Sequence, residues 1–173
     1  MENDSKNSHW IYMLRTTQQH HAQLSLLADQ KANILIASNS IILSLTLSRI
    51  ETLQDFWCTY TMLLMSIVSI LLSLLVVAPL SVPKKRSKLK KDQLNPLFFD
   101  HFAHFSHAEY QALMSDIMET PEKVKEAMVK DIYQLGKVLH GRKYPFLKLS
   151  ALVFIYGIII SLILLVSQIV IIA

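Results

Sequence analysis

Two stretches of this chain carry residues whose types and spacing suit chemistry or recognition. The first is His101-Phe102-Ala103-His104-Phe105-Ser106-His107, preceded by Asp100. On one helix, His101 and His104 would share a face and could chelate a metal. Ser106, however, reads as the cap of a new helix, which breaks that face. The histidines are therefore expected to serve structure or an interface, and no metal site is expected. Phe98, Phe99, Phe102 and Phe105 are expected to form the core of a small domain rather than a base-stacking platform. His20 and His21 are adjacent and point about 100° apart, so they do not easily share a ligand. Cys58 sits in an apolar run and behaves as a small hydrophobe. There is no glycine-rich phosphate loop, no strand–turn–helix nucleophile and no paired-cysteine metal motif. No catalytic residue is nominated, and the chain is not expected to be an enzyme.

The second stretch runs from Asp29 to Ser48. No charge falls between Lys31 and Arg49, and the charge-free run reaches roughly 25 Å as a helix, slightly short of a hydrocarbon core near 30 Å. It is polar for a membrane span. Asn33, Ala37, Ser40, Ser44 and Ser48 recur at three- or four-residue steps and share one helical face, which Asp29 extends by a turn. The other side carries Ile34, Ile36, Ile41, Leu43, Leu45 and Leu47 and suits lipid. A stripe of small and hydroxyl residues lets helices approach closely. It either fits against other membrane helices of the same chain, or lines a wet path or a subunit contact on activation.

The elements that position these residues follow from composition and charge. Of 173 residues, 52% are hydrophobic and 17% charged, with three glycines and five prolines. That is apolar for a soluble protein and poor in turn formers, so an all-α membrane protein is expected. Residues 1–31 read as an amphipathic helix running into a first transmembrane helix at 32–48. Residues 49–55 read as a short polar turn. A second charge-free run, bounded at 56–82, opens with Trp57 and Tyr60, which suit the aromatic belt of a membrane interface; Pro79 near its end would kink the last turn. Six cations then fall within Lys84–Lys91. The positive-inside rule makes that flank cytoplasmic and anionic lipid its partner, with no nucleic acid expected. Within the polar segment 83–146, Ser106 and Glu109 form a capping box, Thr120-Pro121 starts a further helix, and Gly141 reads as its stop. A third apolar run occupies 147–173. The expected architecture is three transmembrane helices, N-in and C-out, with a small helical cytoplasmic domain between the second and third spans.

Three blocks of the sequence resemble the transmembrane effectors of Pycsar, a bacterial anti-phage system that signals with cyclic pyrimidine mononucleotides. The first is Leu24-Ser25-Leu26-Leu27-Ala28-Asp29-Gln30-Lys31-Ala32-Asn33-Ile34-Leu35-Ile36 with Asn39 and Leu43-Ser44, similar to the family's Ala-Asp-x-Lys-Ala-x-Ile-Leu signature. The second is Asn95-Pro96-Leu97-Phe98-Phe99-Asp100-His101-Phe102, running on to Glu109-Tyr110. The third is Asp131-Ile132-Tyr133-Gln134-Leu135-Gly136-Lys137-Val138-Leu139 with Lys143-Tyr144.

The resemblance implies a non-enzymatic effector in the bacterial inner membrane. It would sense cCMP or cUMP from a partner pyrimidine cyclase, impair membrane integrity and cause abortive infection. The ligand is an activator rather than a cofactor, and no cofactor is expected. Lys137, Arg142 and Lys143 are the candidates for the phosphate, and Phe98, Phe99 and Tyr144 for stacking on the base. A gated effector is expected to be a homo-oligomer. Two other readings stand beside it: a constitutive holin-like pore, and a membrane adaptor that docks a cytoplasmic partner.

Overall fold

A computed structural model describes residues 2–53, 57–78, 95–98, 101 and 104–172. Pro79, the basic run Lys84–Lys91, Phe99, Asp100 and Phe102 lie outside the described residues. Among those described, all regular structure is helical: α1 (Glu2–Ser48), α2 (Ile50–Leu53), α3 (Trp57–Val77), α4 (His107–Ile117), α5 (Pro121–Val138) and α6 (Tyr144–Ile172). Three helical stretches are long and apolar enough to cross a membrane, within His9–Ser48, Trp57–Val77 and Pro121–Ile171.

Two departures from the sequence reading are local. Residues 50–53 of the expected turn form the short α2. Gly141 does not end a helix. It sits in a π-helical turn, Leu139–Lys143, that carries the backbone from α5 directly into α6. No residue described here adopts a positive φ, so Gly141 lacks the left-handed geometry of a helix stop. The extra residue of a π turn is absorbed without breaking the helix.

The chain divides into two compact units. The first comprises residues 1–24 and 79–139, the second residues 25–78 and 140–173. In the first unit, Ser106 caps α4 by accepting from the Glu109 N–H, while the Glu109 carboxylate accepts from the Ser106 N–H. Thr120 caps α5, with Pro121 in its first turn. Both orphan-donor problems are thus solved by the residues whose types announced them. Lys123 reaches back from α5 to Asp116 at 2.8 Å and Glu119 at 2.7 Å. These two carboxylates hold its ammonium pKa above the ordinary lysine value.

The second unit holds the rest of α1 with α3 and α6. Ala28, Ala32, Val76 and Leu147 form its buried apolar cluster, flanked by Leu35 and Phe146. Further along, Asn39 meets Ser69, and Ser69 meets Ser150. Descending numbers on α3 therefore meet ascending numbers on α1 and α6. The α3 helix runs antiparallel to both. At Gly157 the approach of α6 to α3 is closest: a Cβ there would lie 2.6 Å from Met65 Cβ. Only glycine allows that distance.

Candidate functional site

Polar groups in the second unit fall into three sets. The first stands where α1 enters its apolar stretch. Lys143 Nζ donates to both oxygens of Asp29 at 2.7 Å and to Ser25 Oγ at 2.8 Å. The Lys143 and Asp29 side chains are 13% and 30% exposed, so the pair is only partly shielded from solvent. The π turn ends at Lys143, and α1 brings Ser25 and Asp29 one turn apart on the same face.

The second set is buried. Asn39 Nδ2 donates to Ser69 Oγ at 3.0 Å and to the Leu35 carbonyl at 2.8 Å. Ser69 and Ser150 exchange further bonds: their hydroxyls lie 3.1 Å apart, and Ser150 Oγ donates to the Ser69 carbonyl at 2.9 Å. Ser73 Oγ meets Ser150 Oγ at 2.6 Å. These residues link all three helices at their contact. Hydrogen bonding between hydroxyls in a bundle interior is a common glue of membrane helices.

The third set is the stripe Asn33, Ala37, Ser40, Ser44 and Ser48. All five are exposed on the surface of the unit. The face of α1 turned inward is instead Ala28, Ala32, Leu35 and Asn39. Both stripes recur at helical spacing. The inward one combines two alanines with an amide that donates to Ser69 on α3. Ile34, Ile41, Leu45 and Leu47 are also exposed, as a lipid-facing surface requires, while Ile36 and Leu43 are half-buried. Of the stripe with Asp29, only Asp29 is drawn into a described side-chain pair across the bundle.

The first unit has a polar seam between α1 and α5. Gln18 Nε2 donates to Asp131 Oδ2 at 2.5 Å, and His21 Nδ1 meets the Ile132 carbonyl at 3.3 Å. A carbonyl only accepts, so the proton sits on His21 Nδ1. Asp131 is buried, and that burial raises its pKa above 3.8, against the opposing hydrogen bond from Gln18. His101 is buried too; its Nδ1 accepts from the Asn95 N–H at 3.1 Å, and its ring lies edge-on to Phe98. Asn95 Nδ2 donates to Gln134 Oε1 at 3.3 Å. His101 thus has a structural place. Among the described residues no group of three or more His, Cys, Asp or Glu is arranged to hold a metal.

The residues nominated for a nucleotide are distributed over both units. Phe98 is half-buried in the first, where Lys137 also lies, its ammonium 5.5 Å from the Tyr133 ring centre. In the second unit Arg142 is half-buried, Tyr144 is exposed and Lys143 is engaged with Asp29. Phe99 is outside the described residues. The sequence reading missed the buried serines. Their signal was present: Ser66, Ser69 and Ser73 at steps of three and four, and Ser150, Gly157, Ser161 and Gln168 at steps of seven, four and seven. Each set falls on one helical face.

Comparison with known families settles the class. The family model PycTM, described as the Pycsar effector protein domain, matches residues 12–171. The chain belongs to the Pycsar effector family. No curated protein and no solved structure gives a match. The matched span covers α1 from Tyr12 onward, α3 and nearly all of α6, so both the ion pair and the buried serine network lie inside the Pycsar effector domain. With its three membrane-length helices, this Pycsar effector is an antiviral defence protein of the membrane type.

Proposed function

We propose that this Pycsar effector responds to a cyclic pyrimidine mononucleotide, cCMP or cUMP, made by a partner cyclase, and then impairs the integrity of the bacterial inner membrane, ending in abortive infection. The observation that carries the reading is the family match over 12–171 in a chain with three membrane-length helices. The protein acts without catalysis. It is a multi-pass protein of the inner membrane, N-in and C-out, with residues 83–146 as a small cytoplasmic domain beside anionic lipid. The six cations of Lys84–Lys91 support that orientation. It uses no cofactor, and nucleic acid is not its partner.

The nucleotide offers one negative charge and one base. Lys137, Arg142 and Lys143 are the residues to receive the charge, and Phe98, Phe99 and Tyr144 the residues to stack. At Lys143 the phosphate competes with the Asp29 carboxylate, so binding there exchanges one anion for another. Moving a bundle from 1:99 to 99:1 takes about 5.5 kcal/mol of differential binding. Several sites in a homo-oligomer supply that more readily than one.

The test is membrane potential in cells expressing the effector with and without an induced pyrimidine cyclase. Depolarisation only with the cyclase is expected. Depolarisation in both conditions would make the protein a constitutive holin-like pore, and none in either would make it an adaptor for a cytoplasmic partner.

A further inference from the structure

We propose that the interior seam between α1, α3 and α6, rather than the exposed serine stripe of α1, is the path along which water and small ions cross when the effector opens. The proposal rests on the membrane-disrupting function above and names the lesion's route.

Three observations carry it. The first is extent. Ser150, Ser161 and Gln168 lie eleven and seven residues apart, which returns each to the same face of α6. From Ser150 to Gln168 that face spans about 27 Å, close to the thickness of a hydrocarbon core near 30 Å. The matching face of α3, from Ser73 to the buried Thr59, covers about 21 Å. The polar seam therefore runs through most of the membrane instead of marking one contact point.

The second is unmet hydrogen bonding. Asn39 is fully buried, yet its Oδ1 has no partner among the described residues; Ser66 is 2% exposed, and its Oγ has none among them either. Ser161 Oγ and Gln168 Oε1 are likewise buried atoms without partners among the described residues. A helix contact needing only close approach is served by alanine or glycine, as at Ala28, Ala32 and Gly157. An amide or hydroxyl left unpaired in an apolar interior costs free energy. Water admitted to the seam would remove that cost, so these groups favour the hydrated state of the bundle over the dry one. Intramembrane polar residues facing a bundle interior are the usual lining of ion and water routes.

The third is closure. Asn39, Ser66, Ser69, Ser73 and Ser150 are all at most 2% exposed, so the seam described here is shut. Ser69, Ser73 and Ser150 hold it by bonds to one another, all of which water can replace. Neither their side chains nor that of Asn39 is charged, so the lining is neutral.

The experiment uses the full chain with Cys58→Ser as background, carrying either Ser66→Cys or Ser40→Cys, in cells with an inducible pyrimidine cyclase. A membrane-impermeant cationic methanethiosulfonate is the probe. Ser66→Cys is expected to react at least tenfold faster once the cyclase is on, with Ser40→Cys unchanged. Depolarised cells with position 66 unmodified would overturn the proposal, and reaction at position 40 instead would place the path between protomers. A cyclase-independent arm compares Ser66→Asp with Ser66→Ala at matched membrane abundance. A carboxylate in the seam should hydrate it and depolarise cells without any nucleotide, whereas the alanine variant stays tight. An inserted but tight Ser66→Asp variant would overturn the route. Failure of the parent to depolarise with cyclase would overturn the function proposed above, and the aspartate arm would still decide the route.

Discussion

Lys143 gives Asp29 two hydrogen bonds and Ser25 a third, at a site neither fully buried nor fully wet. Its worth lies between an exposed pair and a buried one. Asp29→Asn or Lys143→Gln should each destabilise the second unit by roughly 1–3 kcal/mol, because each strands the partner's charge. The exchange Asp29→Lys with Lys143→Asp should recover part of that loss. Thermal unfolding of the purified variants in detergent, arranged as a double-mutant cycle, reads the coupling; additive single effects would show that the pair is not coupled. Asp131 behaves differently. Burial raises its pKa in the folded unit, so the folded chain holds a proton at pH values where the unfolded chain has released it. The stabilisation from that proton is complete below 3.8 and is lost as pH rises through the folded value. Local protection of 121–138 in hydrogen exchange should therefore increase on acidification toward that range. Asp131→Asn should flatten the dependence, and an unchanged slope would remove Asp131 as its source.

Elements show how a few residues set helix ends and helix approach. The Ser106–Glu109 box and Thr120-Pro121 start α4 and α5 from purely local chemistry. Gly157 acts at longer range. A side chain there meets Met65 on α3, so Gly157→Leu should force α3 and α6 apart and cost about 1–3 kcal/mol by overpacking. In a Cys58→Ser background, disulfide formation between Ser69→Cys and Ser150→Cys should fall when Gly157→Leu is added. Undiminished cross-linking would show that the bundle absorbs the added bulk elsewhere. The π turn at Leu139–Lys143 is the other element-scale feature, since it ends at the lysine that holds Asp29.

For the whole molecule, α3 runs antiparallel to α1 and α6, and the proposed orientation puts the amino terminus and residues 83–146 inside. In the Cys58→Ser background, Glu51→Cys, exposed on α2, should then be labelled by an impermeant thiol reagent in intact cells. His107→Cys, at the start of α4, should be labelled only after permeabilisation. The reverse pattern would invert the topology. The proposed homo-oligomer also gives the outward stripe a role. Asn33, Ser40, Ser44 and Ser48 expose polar groups on a surface otherwise suited to lipid, which suits contact with a second copy beside the proposed interior route.

Much of this protein was legible in one dimension. Membrane-length apolar runs and helix caps depend on residues near one another in sequence, so composition and short spacings suffice to read them. The three family blocks are likewise linear. Facing is another matter. The stripes Asn33–Ser48 and Ala28–Asn39 are adjacent on the same helix, and both have the small-residue periodicity of a contact surface. Which one turns inward depends on what α3 and α6 present, and Asn39 is drawn in because Ser69, itself bonded to Ser150, stands opposite. The Asp29–Lys143 pair spans more than a hundred residues and depends on that same docking. Gly141 failed as a stop because a glycine only permits a left-handed cap. Here the α5 and α6 backbones join through a wider turn. Local sequence set where α4 and α5 begin; only packing of one helix on another decided which face, which pair and which buried oxygens matter.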